Sequence, residues 1–495
     1  MDSKDTRGTV TDEGDRLPLR TRIGYGVGDL YGGGAFFVVS TLYLIFLTDV
    51  VGIRPALAGL IVLIARGWDA VSDPLMGMIS DRTRTRWGRR RPYFLVGIPF
   101  IALSFFLLWY PAGFEAEWAR FAYALASYLF FSTVITMVMI PYNALASELT
   151  LDYGERSRLT AFRLAFSEAS TLVCALLPLV IIGAAPTRTV GYPIMGIIFG
   201  LFFAVPFVAT FFTTWERPDF SRRSTPGNLR AFFEPFRIRA FRSFILMFLF
   251  SFAAMDVVLS IIVFFVTYYL EVPQITNLLL GTLLIVQLAL LPAYYLLSRR
   301  TSKLVAFITG GCIWAVAMIA SFALRPGLPV WIYFVFAGLV GTGTGGVIVM
   351  AYAIFPDIPD VDELVSGRRR EGIFAGVQTF LRKLTGAFAI FLVGQAIDLA
   401  GYRPPAETVE AGLTTVVELE QTSQFLLVLR GVFALVPLAF ITITVLIAIR
   451  FPLTPQIHAR LKAYLASRRE AAPVGMPVID EAEERELRRL LVSRR

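Results

Sequence analysis

The sequence predicts an all-α membrane protein: twelve transmembrane helices in two six-helix bundles. Three observations carry that prediction. Of the 495 residues, 56% are hydrophobic and 17% charged, against about a quarter charged in ordinary soluble domains. The apolar residues come in blocks, and about 20 consecutive apolar residues span a bilayer. Basic residues cluster in alternate loops.

Twelve such blocks fall at roughly 23–48, 56–80, 93–112, 119–143, 160–184, 191–214, 243–270, 276–298, 304–324, 329–355, 371–399 and 424–450. The first 22 residues are charged and lack an apolar core. They read as a cytoplasmic tail rather than a cleaved signal peptide. The spans divide into bundles at 23–214 and 243–451, joined by a cytoplasmic linker at 215–242 that contains "RPDFSRRSTPGN". Two such halves, rocking around a midplane site, are a common carrier layout. The charged tail, 452–495, contains two short amphipathic stretches and reads as solvated or lying on the membrane surface.

The net charge of +9 does not point to nucleic acid, because of where it lies. Arginines crowd the loops after the second span (Arg82, Arg84, Arg86, Arg89, Arg90, Arg91), the sixth (Arg217 to Arg242), the eighth (Arg299, Arg300) and the tenth (Arg368, Arg369, Arg370). The intervening loops are poor in them, with Arg54, Arg188 and Arg403. This is the positive-inside pattern. It puts both termini in the cytoplasm and the protein in the plasma (inner) membrane. The one histidine, His458, sits in the tail, and Cys174 and Cys312 lie in separate spans. No nucleophile–base pair or metal cluster is visible, so an enzyme is not expected. No resident cofactor is expected either.

The second span contains "ARGWDAVSDPLMG", with Asp69 and Asp73 four residues apart on one helix face. A charge at bilayer depth costs several kcal/mol unless it faces a partner or a water-filled cavity. Two adjacent carboxylates coexist when a cation or proton sits between them. Ser72 adds a hydroxyl, and Pro74 leaves the Ala70 carbonyl without its helical partner. The alternative is a structural ion pair, with Arg66 or a lysine from another helix neutralising one acid.

The stretch "TDVVGIRPALAGLIVLIARGWDAVSDPLMGMISDRTRTRWGRRRP" resembles the melibiose-permease family, the glycoside–pentoside–hexuronide:cation symporters of the major facilitator superfamily. "IPYNALASELT" and "GVQTFLRKLTGA" carry weaker likeness. The resemblance implies the major facilitator fold and a monomer. It implies that Asp69, Asp73, Ser72 and Thr136 bind the coupling cation, sodium or else a proton; the melibiose permease has Asn in place of Ser72. Asp81, Arg89 and Arg90 are then expected to pair with helix ends and hold the cytoplasmic side closed, although a plain topology-setting loop fits equally well.

The sugar site of that family is only partly matched. Its first-helix acid aligns with Gly33, with Asp29 one turn away, and its fourth-helix acid with Met139. Its tryptophans align with Asn143 and Ile348. Arg163, Lys383, Gln378 and Thr379 match substrate-side positions. Lys383 could instead neutralise Asp69 or Asp73. Asp256 is expected to pair with Arg163 or Lys383, and Arg382 to snorkel away from the site. Lost acids beside retained bases favour an anionic or amphipathic substrate. "PDIPDVDELVSGRRREGIF" resembles a segment of the sodium-dependent lysophosphatidylcholine transporters, and Asp360, Glu363 and Arg369 within it read as a gate latch or as a solvated loop. The expected function is therefore cation-coupled symport of a sugar or glycoside by alternating access, or of a lysophospholipid. The implied partners are membrane lipids and a small or lipid-like substrate. A channel fits the two halves and the basic eleventh span less well.

Overall fold

The computed structural model describes residues 17–150, 152–216, 233–367, 370–410, 413–417, 420–471 and 481–492. Six helices form the first half: α1 (Leu19–Asp49), α2 (Pro55–Arg82), α3 (Pro92–Leu108), α4 (Glu117–Leu149), α5 (Tyr153–Ala184) and α6 (Arg188–Thr213). Six form the second: α7 (Arg239–Tyr269), α8 (Pro273–Arg300), α9 (Lys303–Ala323), α10 (Val330–Ile354), α11 (Glu371–Leu399) and α12 (Ser423–Ile449). Eleven of these are long and apolar enough to cross a membrane, and α3, with 17 residues, is shorter. It stops short of the expected residue 112 because Pro111 follows closely and Gly113 takes a left-handed φ of 61°. At their polar ends α4 and α5 run several residues past the expected spans. Backbone pairing of 406–410 with 413–417 forms a two-stranded hairpin between α11 and α12, which the apolar pattern did not predict.

The halves meet where α2 packs along α11, α1 against α7 and α5 against α8. At the far face, opposite the α2–α3 loop, a Cβ at Gly394 would lie 2.5 Å from the Pro55 carbonyl oxygen, so the missing side chain lets α11 close on α2. Nearby, Gln395 Nε2 donates to the Ala56 carbonyl at 3.2 Å. Asp49, at the end of α1, accepts hydrogen bonds from Tyr268 (2.6 Å) and Tyr402 of the other half.

The near face is organised differently. Arg90 pairs with Asp81 at 3.2 Å and with Glu148 at 3.0 Å, and Arg89 also pairs with Glu148. Glu216 accepts from the backbone N–H groups of Arg89, Arg90 and Arg91 at 2.8–3.0 Å. Arg91 Nη2 donates to the Phe211 carbonyl at the end of α6. These bonds tie α2, α4 and α6 into one half. In the other half, Lys303 binds Asp357 (2.7 Å), His458 Nε2 contacts Asp360 Oδ2 (2.9 Å), and Arg370 bridges Asp362 (2.7 Å) and Glu234. The Asp362 carboxylate, more than any other group, holds the Arg370 guanidinium above its ordinary pKa. Glu363 is half-buried on the short helix Ile358–Ser366, and Arg369 lies outside the described residues. The expected gate latches thus bind within each half in this conformation. The tail is docked rather than solvated. Helices α13 (Pro455–Ala471) and α14 (Glu481–Leu491) bury Leu461, Leu465, Leu487 and Leu491, and Arg488 donates to the Leu364 carbonyl at 3.1 Å.

Asp256 and Arg382 pair with each other, at 2.5 and 2.9 Å, with the guanidinium 4.6 Å above the Phe252 ring. Arg382 therefore does not snorkel, and Asp256 does not take Arg163 or Lys383. Arg382→Ala leaves a 5%-exposed Asp256 without its counter-charge, an expected loss on the order of 3 kcal/mol. Adding Asp256→Asn should recover most of it. Thermal melts in detergent check this, and an unshifted Arg382→Ala melt contradicts it.

Candidate functional site: paired carboxylates between the two halves

Helix α2 runs unbroken through Pro74 and turns Asp69 and Asp73 toward α4 and α11. Asp69 is 1% exposed and accepts from Ser132. Asp73 accepts from Thr136 Oγ1 at 2.7 Å, and Ser72 Oγ lies 3.5 Å from the same hydroxyl. Ser132 and Thr136 stand four apart on α4, matching the spacing of the two acids on α2. The sequence reading missed Ser132, and that shared period is the signal that could have found it. The four groups named for the cation thus converge with Ser132 around a cluster of oxygens, the kind of donor that hard cations take. Among the described residues no three of His, Cys, Asp and Glu form a metal cluster.

Cationic side chains close the cluster from two directions. Lys383 of α11 places Nζ 2.5 Å from Asp73 and 3.4 Å from Asp69. Arg66 lies 3.7 Å from Asp69 and stacks over Phe36 at 4.4 Å. The ion-pair alternative is therefore realised, but the acids are not sealed in. They border a cavity of about 780 Å³ together with Ala70, Pro74, Ile140, Thr379 and Lys383.

The remaining substrate candidates divide. Arg163 lies 3.6 Å from Asp29 and donates to Asn143 at 2.8 Å, so α1, α4 and α5 share one polar cluster. Met139 packs against α1 at Gly32. Gly33 is a packing position, since a Cβ there would lie 2.3 Å from Ser167 Oγ. Gln378 is 5% exposed and does not line the cavity, and Ile348 is half-buried against the core.

One charged group escaped the sequence reading. Glu168, on α5, is exposed and has no ion pair or hydrogen bond among the described residues. The charged residues that line the cavity are Arg66, Asp69, Asp73 and Lys383. Arg66, Arg163, Arg382 and Lys383 each have a carboxylate partner.

Residues 24–455 match the family model described as "MFS/sugar transport protein". An uncharacterised symporter, sll1374, from Synechocystis sp. is 27% identical, over 92% of this chain and 98% of the relative. The isoprimeverose transporter of Lactiplantibacillus pentosus is also 27% identical, over 78% and 81%. Among solved structures, a bacterial homologue of the human lysosomal transporter Spinster, in an inward-facing and unoccupied conformation, superposes with a TM-score of 0.61 at 13% identity, over 88% of this chain and 98% of that one. With its membrane-spanning helices in two halves and an acid pair between them, the chain is a multi-pass transporter, not an enzyme, and belongs to the major facilitator superfamily, among the glycoside–pentoside–hexuronide symporters.

Proposed function

We propose that this protein is a sodium-coupled symporter of a glycoside, working by alternating access, with its near face and both termini in the cytoplasm of a cell bounded by this plasma (inner) membrane. The observation that carries the reading is the Lys383 amine seated between Asp69 and Asp73 beside an open cavity. An ammonium in that seat does electrostatically what a coupling cation would do. Sodium entering the oxygens of Asp69, Asp73, Ser72, Ser132 and Thr136 displaces Lys383, which belongs to the opposite half. Loading the site therefore changes a contact between the halves. A proton is the alternative coupling ion, because it too would neutralise one carboxylate and release the amine.

In this conformation Arg66, Arg163, Arg382 and Lys383 each have a carboxylate partner, and sodium that displaces Lys383 leaves its amine free beside the cavity. A neutral glycoside is the leading reading, in line with the isoprimeverose transporter among the relatives, and an anionic or amphipathic substrate is the alternative. A second reading, a lysophospholipid, is favoured by the cavity lining of Phe233, Phe236, Ile140, Phe380, Leu381 and Leu384, which suits an acyl chain.

Asp69→Ala and Asp73→Ala are each expected to abolish sodium-stimulated uptake while the protein still reaches the membrane. Undiminished sodium dependence in both variants contradicts the assignment, and stimulation by a pH gradient alone selects the proton. Thermal stabilisation by neutral glycosides, hexuronides and lysolipids, each with and without sodium, separates the substrate classes. The expectation is sodium-enhanced stabilisation by a neutral glycoside, and a response to lysolipid alone moves the assignment to the second reading.

A further inference from the structure

Lys383 carries its amine on a long flexible stem, so holding it between Asp69 and Asp73 costs conformational entropy. How large that cost is depends on how firmly α11 fixes the start of the stem. Neighbouring residues on a helix point about 100° apart, and α11 uses that step to divide its contacts. One side faces α7 in its own half. There Phe374 meets Phe241 edge-on at 5.1 Å, and Arg382 donates to Asp256 at 2.5 and 2.9 Å. The adjoining side faces α2 in the other half, with Lys383 on the acids and Gly394 and Gln395 at the far end.

The contact with α7 is rigid. Asp256 is 5% exposed, and two parallel bonds to it set the plane of the Arg382 guanidinium. That plane rests 4.6 Å above the Phe252 ring. Gly386 stands one turn further along the same side of α11. A Cβ there would lie 2.5 Å from Asp256 Oδ2 and 2.7 Å from Arg382 Nη1, so the glycine leaves the space that the pair fills. Held in this way, α11 cannot roll about its axis without straining the pair, and that roll sets where the Lys383 stem begins.

We propose that the Asp256–Arg382 pair is a clamp that positions Lys383 and thereby sets the protein's affinity for sodium. The proposal rests on the exchange of amine for sodium at the acid pair and assigns its regulation. Sodium binds where the amine has left. Its apparent affinity is the intrinsic one scaled by the fraction of molecules with the amine out. A clamp that favours the seated amine lowers that fraction. Loosening the clamp therefore tightens sodium binding, and removing the amine sets the limit. A pair that served stability alone would, when loosened, lower the melting temperature and leave sodium affinity unchanged or weaker.

The test titrates sodium into the purified full-length chain at constant total salt and reads thermal stabilisation. Two kinds of variant loosen the clamp by unrelated routes. Asp256→Asn combined with Arg382→Gln replaces the charged fork with a neutral amide contact and leaves no buried charge unpaired. Gly386→Ala changes no charge and pushes apart the ends of the two side chains. Each should lower the half-saturating sodium concentration roughly 3- to 10-fold, the scale on which ordering one long side chain counts. Neither should exceed the shift given by Lys383→Ala, and in a Lys383→Ala background neither should add to it. Half-saturation within about twofold of wild type in both variants, the ordinary margin for independent sites, overturns the clamp. So does a shift that persists undiminished without Lys383. A wild-type protein that sodium does not stabilise overturns the exchange itself and the clamp with it.

Discussion

The structure turns on one electrostatic constraint. Two carboxylates on a single turn of α2 cannot both stay ionised away from water unless positive charge sits against them. In this conformation Lys383 supplies it, 2.5 Å from Asp73 and 3.4 Å from Asp69, from the opposite half of the molecule. Arg66, on the same helix as the acids, covers only Asp69, and from 3.7 Å. The contact that makes the acids tolerable is thus also a contact between the two halves. Under the proposed coupling, a cation competing with Lys383 for those oxygens would change how the halves hold together, and by linkage whatever favoured the rearranged state would favour the cation equally.

The rest of the architecture suits rigid halves that pivot. Each near-face network closes on itself: Arg89, Arg90 and Arg91 with Glu148, Asp81 and Glu216 in one half, and Lys303, Arg370 and His458 with Asp357, Asp362 and Asp360 in the other. The far face is where the halves grip each other, through the close approach at Gly394 and the tyrosine hydroxyls on Asp49. Hydrogen bonds to a few side chains, together with backbone packing, can be exchanged without unfolding either bundle. The docked tail is bound through α14 to the short helix after α10, in the second half.

Much of this was legible from residue order. Long apolar blocks located the helices, although α4 and α5 run further at their polar ends than the blocks suggest, and the four-residue spacing put Asp69 and Asp73 on one face. What escaped depended on partners. Arg382 looked like a snorkelling residue because a sequence does not reveal that Asp256, over a hundred positions away, waits on α7. Arg163 and Lys383 read as lone bases because their partners, Asp29 and Asp73, lie far away in the sequence. Glu168 was overlooked because a single acid in "LAFSEASTL" barely dents the hydropathy. The paired strands 406–410 and 413–417 were missed because a short run of Thr and Val between two spans carries no helical period.

The most direct test follows the Lys383 amine itself. Reaction of the purified protein with an amine-reactive reagent, followed by peptide mass spectrometry, reports how freely that amine is exposed as sodium is raised at constant ionic strength with choline. Release of Lys383 by the cation predicts labelling that climbs several-fold and saturates with sodium. Labelling that stays flat across the titration, while other lysines react normally, would contradict the exchange of amine for cation on which the mechanism rests.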